Sequence, residues 1–184
     1  MGTYSGVVLT GLSHDDGAEN AAGVAELAYL LRYGDILTLQ EATIGTTAAS
    51  ILTISATHVM KTGKAPIPVE TIYEKSDFEA AMEGEVYSHM FNPKVTIFMA
   101  QPTIDNVGGF SSLKNSRLVL LMRRPGDTTN FYQVGSKFLP AKIMTGSVKF
   151  GKGPTGEPGV TFTIEAHNPQ PFFYYTGTLP VTGA

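Results

Sequence analysis

Two glycine-rich stretches carry the spacing of phosphate-binding loops. Gly151-Lys152-Gly153-Pro154-Thr155-Gly156 fits G-x-G-x-x-G, a pattern that works by presenting backbone N–H groups to a pyrophosphate where a helix begins. Here Pro154 and Pro158 break the stretch and a strand-like run follows, so no helix N-terminus is available to take the charge. Gly146-Ser147-Val148-Lys149-Phe150-Gly151-Lys152 approaches a P-loop, yet Gly153 stands where Ser or Thr must bind magnesium. Both stretches read as turns.

The other reactive residue types do not converge. His14, His58, His89 and His167 share no metal-ligand spacing, and no His-x-Glu or Glu-x-x-His pair occurs. His14-Asp15-Asp16 could hold a cation, but the same residues suit a solvated turn. Glu79, Glu83 and Glu85 have the chemistry of a general acid–base set, but helix capping accounts for Glu79 and exposed element ends for the other two. No G-x-S-x-G elbow is present, and the absence of cysteine removes thiolate nucleophiles, thiolate metal sites and disulfides. The chain reads as a non-enzyme with no metal or cofactor. Phe172-Phe173-Tyr174-Tyr175 could stack sugars or bases; in a strand, one alternate pair fills core and the other is free for a partner.

The elements that must carry these residues are mostly strands. Val95–Met99, Leu118–Met122, Phe131–Val134, Ser147–Phe150 and Val160–Ile164 follow one another between Gly, Pro, Asp and Asn turns. In the last, Val160, Phe162, Ile164 and Ala166 alternate with Thr161, Thr163 and Glu165, as a half-buried antiparallel strand requires. Arg124-Pro125-Gly126-Asp127 is a turn by its residue chemistry. Ser76 and Glu79 form a capping box that predicts a two-turn helix ending at Gly84, followed by a strand over 85–91 and a turn at Asn92-Pro93. Residues 21–33 suit a helix or a strand. Ile36-Leu37-Thr38-Leu39 and Ile51-Leu52-Thr53-Ile54 read as two strands flanking a loop, so residues 41–68 are expected to form a long hairpin tipped by 45–50.

The expectation is a single domain over 1–184, with an arm at 1–17, the long loop at 41–68 and a tail at 178–184. Net charge is −3, but residues 1–92 hold twelve acids against four bases and residues 93–184 hold four against nine. That asymmetry fits solvated faces, or complementary surfaces that meet between identical subunits. The start, Met1-Gly2-Thr3-Tyr4-Ser5-Gly6, reads as lacking a charged leader, and no apolar run is long enough to span a membrane. Synthesis in a cytoplasm is therefore expected.

The order of these elements, with Arg117-Leu118-Val119-Leu120-Leu121-Met122-Arg123-Arg124, Phe131-Tyr132-Gln133-Val134-Gly135-Ser136, Thr145-Gly146 and Gly159–His167, resembles the tail tube (major tail) proteins of long-tailed bacteriophages. The resemblance covers about residues 20–177 as a pattern. It implies a mainly β, antiparallel sandwich or barrel of the tail-tube type, with one short flanking helix and extended arms or loops. It further implies a virion protein in hexameric rings that stack into a tube. Other tail proteins would be its neighbours, and DNA would pass through the lumen without specific binding. On that basis Thr46, Thr47, Ala48, Ala49, Tyr174 and Tyr175 are the expected contacts between subunits. Two alternatives remain: another phage structural protein (neck, tail terminator or capsid decoration), and a carbohydrate-binding β-sandwich using Tyr174 or Tyr175.

Overall fold

The computed structural model describes residues 6–8, 22–153 and 155–180. The His14-Asp15-Asp16 turn, most of the 1–17 arm, Pro154 and positions 181–184 of the tail lie outside the described residues. In chain order the strands are β1 (Leu27–Arg32), β2 (Ile36–Thr38), β3 (Thr53–Ile54), β4 (Val59–Met60), β5 (Ile67–Glu70), β6 (Asp77–Glu83), β7 (Met90–Ala100), β8 (Leu118–Met122), β9 (Phe131–Val134), β10 (Lys142–Lys149), β11 (Gly159–Glu165) and β12 (Phe173–Tyr175). Helix α1 (Ile104–Leu113) lies between β7 and β8.

Leu118-Val119-Leu120-Leu121-Met122 is apolar without interruption because β8 is covered on both faces and buried at every position. It sits inside a sheet ordered β3-β12-β9-β8-β1-β5. One face of that sheet (Leu30, Leu118, Leu120, Met122) packs on Val95, Ile97, Val160, Phe162 and Ile164 of a second sheet, ordered β10-β11-β7-β6. The opposite face (Leu31, Ile54, Val119, Leu121, Phe131, Tyr175) packs on Ile36 and Met60 of the β2-β4 pair. The result is a mainly β sandwich with one short helix, the expected class. The alternation of β11 is present as read: Val160, Phe162, Ile164 and Ala166 are buried, while Thr161, Thr163 and Glu165 are half-exposed.

Four local expectations are corrected. Residues 77–83 form strand β6, not a helix, and pair along seven positions with β7. Ser76 caps nothing: its side chain is buried, and its hydroxyl accepts from the Phe98 N–H at 3.3 Å. A two-turn helix is marginal by itself, whereas a strand beside β7 gains a full ladder. The strand expected at 85–91 and the turn at Asn92-Pro93 exchange places. The turn occupies 84–89, with Gly84 at φ 120° and Tyr87 at φ 68°, and β7 runs straight through buried Asn92 and Pro93. Pro93 lies just beyond the last β11 pair, Glu165–Lys94, so its missing N–H is tolerated there.

The long hairpin over 41–68 is also absent. β2 pairs with β4, while β3 pairs in parallel with β12, more than a hundred residues away in sequence. Residues 27–32 are strand, which settles the ambiguity at 21–33. Among the described residues the single α-helix is α1, whose N-cap Thr103 accepts from the Asn106 N–H at 3.2 Å. It packs Phe110 on Phe162, with ring centres 5.6 Å apart. Gly146 lies beneath Phe110 and has no side chain to push it away.

Candidate assembly surfaces

The outer face of the β10-β11-β7-β6 sheet is polar by strand alternation. Its register sets Lys142 beside Glu165, Glu165 beside Lys94, and Lys94 beside Glu79, so charge alternates across all four strands. The next row on that face is Thr145, Thr163, Thr96 and Asp77. The Thr96 and Thr163 hydroxyls lie 3.4 Å apart. Phe98 is the large apolar residue among these polar rows, and the Lys75 ammonium stands over its ring at 5.1 Å while also pairing with Glu157. Opposite charges on facing strands stabilise each other by a few tenths of a kcal/mol to about 1 kcal/mol per pair.

The two sheets treat their edges differently. In the six-stranded sheet one edge is β3, only two residues long, and the other is β5, which carries Pro68. Short strands and prolines are the usual protection against pairing with another chain. The four-stranded sheet ends instead in β6 and β10, of seven and eight residues, without proline. Among the described residues neither outer edge pairs with another strand. β6 carries Asp77, Glu79 and Glu83, and β10 carries Lys142 and Lys149. Met82 and Met144, on these two edges, are 61% and 60% exposed.

The expected contact residues fall into two groups. Thr46, Thr47, Ala48 and Ala49 are all exposed. They form a turn braced by Ser50, whose hydroxyl accepts from the Gly45 N–H at 2.9 Å and donates to the Thr47 carbonyl at 2.6 Å. The Val8 N–H donates to the Thr46 carbonyl at 2.8 Å, so the 6–8 segment lies along this turn. Tyr174 is half-buried and packs edge-on against Tyr132, 5.5 Å between ring centres. Tyr175 is wholly buried in the core, because β12 is covered on that face. The structure therefore does not bring Tyr175 to the surface with the others.

Tyr175 belongs to a polar network that the sequence does not announce. Its hydroxyl accepts from the His58 N–H at 3.1 Å and donates to the Thr178 carbonyl at 2.7 Å. The His58 ring stacks on it with centres 4.5 Å apart. This ties the 36–60 segment to the sandwich and to the chain beyond β12.

The surface also carries two clefts. One, of about 410 Å³, lies among Ile44, Ile51, Met90, Phe138, Phe173 and Gln133. The other, of about 250 Å³, lies between Phe78, Arg123, Tyr132 and Phe172. Among the described residues no group of three or more His, Asp or Glu could hold a metal ion, and no helix is long and apolar enough to cross a membrane. Compared with protein-family models, curated proteins and solved structures, the chain matches none.

The residues that sequence reasoning missed are the edge charges. Asp77, Glu79 and Glu83 alternate with Phe78, Ala80 and Met82, a period of two that was overshadowed by the capping box.

Proposed function

We propose that this chain is a structural subunit whose copies join edge to edge through the β10-β11-β7-β6 sheet into a closed ring, and that such rings stack into the tail tube of a long-tailed bacteriophage. The reading rests on one observation: a single sheet has two long edges of opposite charge that pair with no other strand among the described residues. Strands alternate in direction across four antiparallel members, so β6 and β10 run oppositely. A head-to-tail junction between copies is then itself antiparallel, and the ladder continues unbroken.

The edges are also offset. Glu83, at the end of β6, sits level with Met90, whereas Lys142, at the start of β10, sits level with Lys94, four residues further along β7. Sliding neighbouring copies by that offset matches β6 to the whole of β10. Glu83 then faces Lys142 and Asp77 faces Lys149 on the polar side, while Met82 meets Ile143 and Phe78 meets Val148 on the apolar side. An even offset keeps every side chain on its own face. One residue of stagger per strand is the ratio of an eight-stranded barrel of shear eight, whose strands tilt by about 36°, so the same tilt follows here whatever the number of copies.

The polar face would line the lumen. Lys94, Lys142 and Lys149 are offset there by Asp77, Glu79, Glu83 and Glu165, and a wall without net positive charge does not retain DNA through counterion release. The subunit would be made in the host cytoplasm and would act in the virion tail beside other tail proteins. The carbohydrate-binding alternative loses Tyr175 to the core. Electron microscopy of the purified protein at raised concentration tests the reading: tubes support it, closed rings that never stack favour a neck or terminator role, and isolated globules overturn it.

A further inference from the structure

Resting on that reading, we infer that the two turns at opposite ends of the four-stranded sheet are the contact between one ring and the next, the acidic aromatic turn of one copy seating on the basic aromatic turn of a copy above it. β7 has eleven residues, which separates its ends by about 33 Å. At its start the 84–89 turn carries Glu85, Val86 and Tyr87. Level with its far end, through Gly159, β10 ends at Lys149 and leads into Phe150, Gly151 and Lys152.

Each turn exposes apolar surface that its own subunit does not cover. Val86 is 71% exposed, Tyr87 101% and Phe150 80%. Tyr87 also holds φ at 68°, a conformation that a bulky side chain adopts at a cost, while its ring meets nothing in its own subunit. A strained residue that presents a whole aromatic ring to solvent is the geometry of an anchor awaiting a pocket.

Charge identifies the occupant. Glu85 makes the first turn acidic and Lys152 makes the second basic, while Glu83 and Lys149 behind them are matched by Lys142 and Asp77 across the ring junction. Glu157, in the same loop as Lys152, is already held by Lys75. The two turns complement each other but not themselves, and they sit at opposite ends of one sheet. A contact of this kind is head-to-tail and open-ended, so it propagates along an axis, whereas the β6–β10 junction closes around it. The exposed Thr46–Ala49 turn lies at the acidic end too, since Ile44 and Ile51 share a cleft with Met90 at the start of β7.

The test is sedimentation and electron microscopy of the full chain at about 50 mM salt, where surface charges are weakly screened. Glu85→Lys or Lys152→Glu alone should raise the concentration needed for stacking by about tenfold or more, because like charges are then opposed at every copy around the ring. The double variant should return within about threefold of the parent. Tyr87→Gly, which suits a positive φ and so keeps the fold, should abolish stacking while rings persist. Stacking unaffected by these changes, or a double variant as poor as either single, overturns the turn-to-turn contact alone. A parent chain that forms neither rings nor stacks overturns the tube reading and this contact with it.

Discussion

The Nε2 of His58 lies 2.7 Å from the Gln133 Oε1, in a site where both side chains are almost wholly buried. The Gln40 N–H donates to His58 Nδ1 at 3.0 Å, so Nδ1 must be the bare nitrogen and Nε2–H the donor to Gln133. Gln133 is then oriented by donating from Nε2 to the Gly135 carbonyl at 2.9 Å. Burial pushes the His58 imidazole below its usual range, and the bond to Gln133 only partly opposes this.

Acid should weaken the fold through this residue. In the unfolded chain His58 takes up a proton as pH falls through about 6.5, whereas in the folded chain it does so only at lower pH, so the unfolded state is the stronger proton binder below that point. The stability due to neutral His58 is complete above about pH 6.5 and is lost progressively below it. Urea midpoints measured between pH 7.5 and 5 should fall, and His58→Gln should flatten that part of the curve. An identical slope in the variant would rule out His58 as the cause.

Gln133→Leu leaves the His58 Nε2–H buried without an acceptor. The expected loss is about 1–3 kcal/mol, read as a lower urea midpoint with an unchanged slope. A stability equal to that of the parent would mean that the site repacks around the change.

Tyr87→Gly should raise stability by about 1 kcal/mol or leave it unchanged, since it removes the strain of a positive φ and sacrifices no contact within the subunit. Thermal unfolding at a concentration below assembly checks this. A loss of more than about 1 kcal/mol would show that the ring is packed after all.

What could be read from the sequence was the part set by local periodicity. β8, β9 and β11 appear as alternating or unbroken apolar runs between turn residues, and the Arg124–Asp127 turn forms with Asp127 N–H donating to the Arg124 carbonyl at 3.1 Å. Ser76–Glu79 misled because a capping box is a local signal, and the partner that overrode it, β7, is a tertiary one. α1 was hidden by Gly108-Gly109, which lower helix propensity; packing of Phe110 on Phe162 compensates. The pairing of β3 with β12 and the partners of His58 depend on contacts between distant parts of the chain, which no local pattern encodes. The edge charges were visible as residues but not as edges, because the sheet order was needed to see which strands lie outermost.

Deletion of 44–50 should leave a folded subunit, since 45–49 are exposed and their turn is braced within itself. If this segment links rings, the deleted protein forms rings but stacks poorly in electron micrographs. Tubes of normal length from that variant would remove the segment from the assembly contact.

The junction between copies can be trapped directly. The chain has no cysteine, so Glu79→Cys combined with Ser147→Cys introduces the only thiols. Within one subunit these positions lie on the outer strands, three strand spacings apart across the sheet and, because Glu79 is level with Lys94 and Ser147 with Phe98, four residues apart along it. The separation of roughly 19 Å is too far for a disulfide, which needs Cα atoms within about 7 Å. Across the proposed β6–β10 junction they face each other. Mild oxidation at assembly concentration should give a ladder of covalent multimers that ends at the closed ring and collapses on reduction. Protein that remains monomeric under those conditions would contradict edge-to-edge joining and the tube built on it.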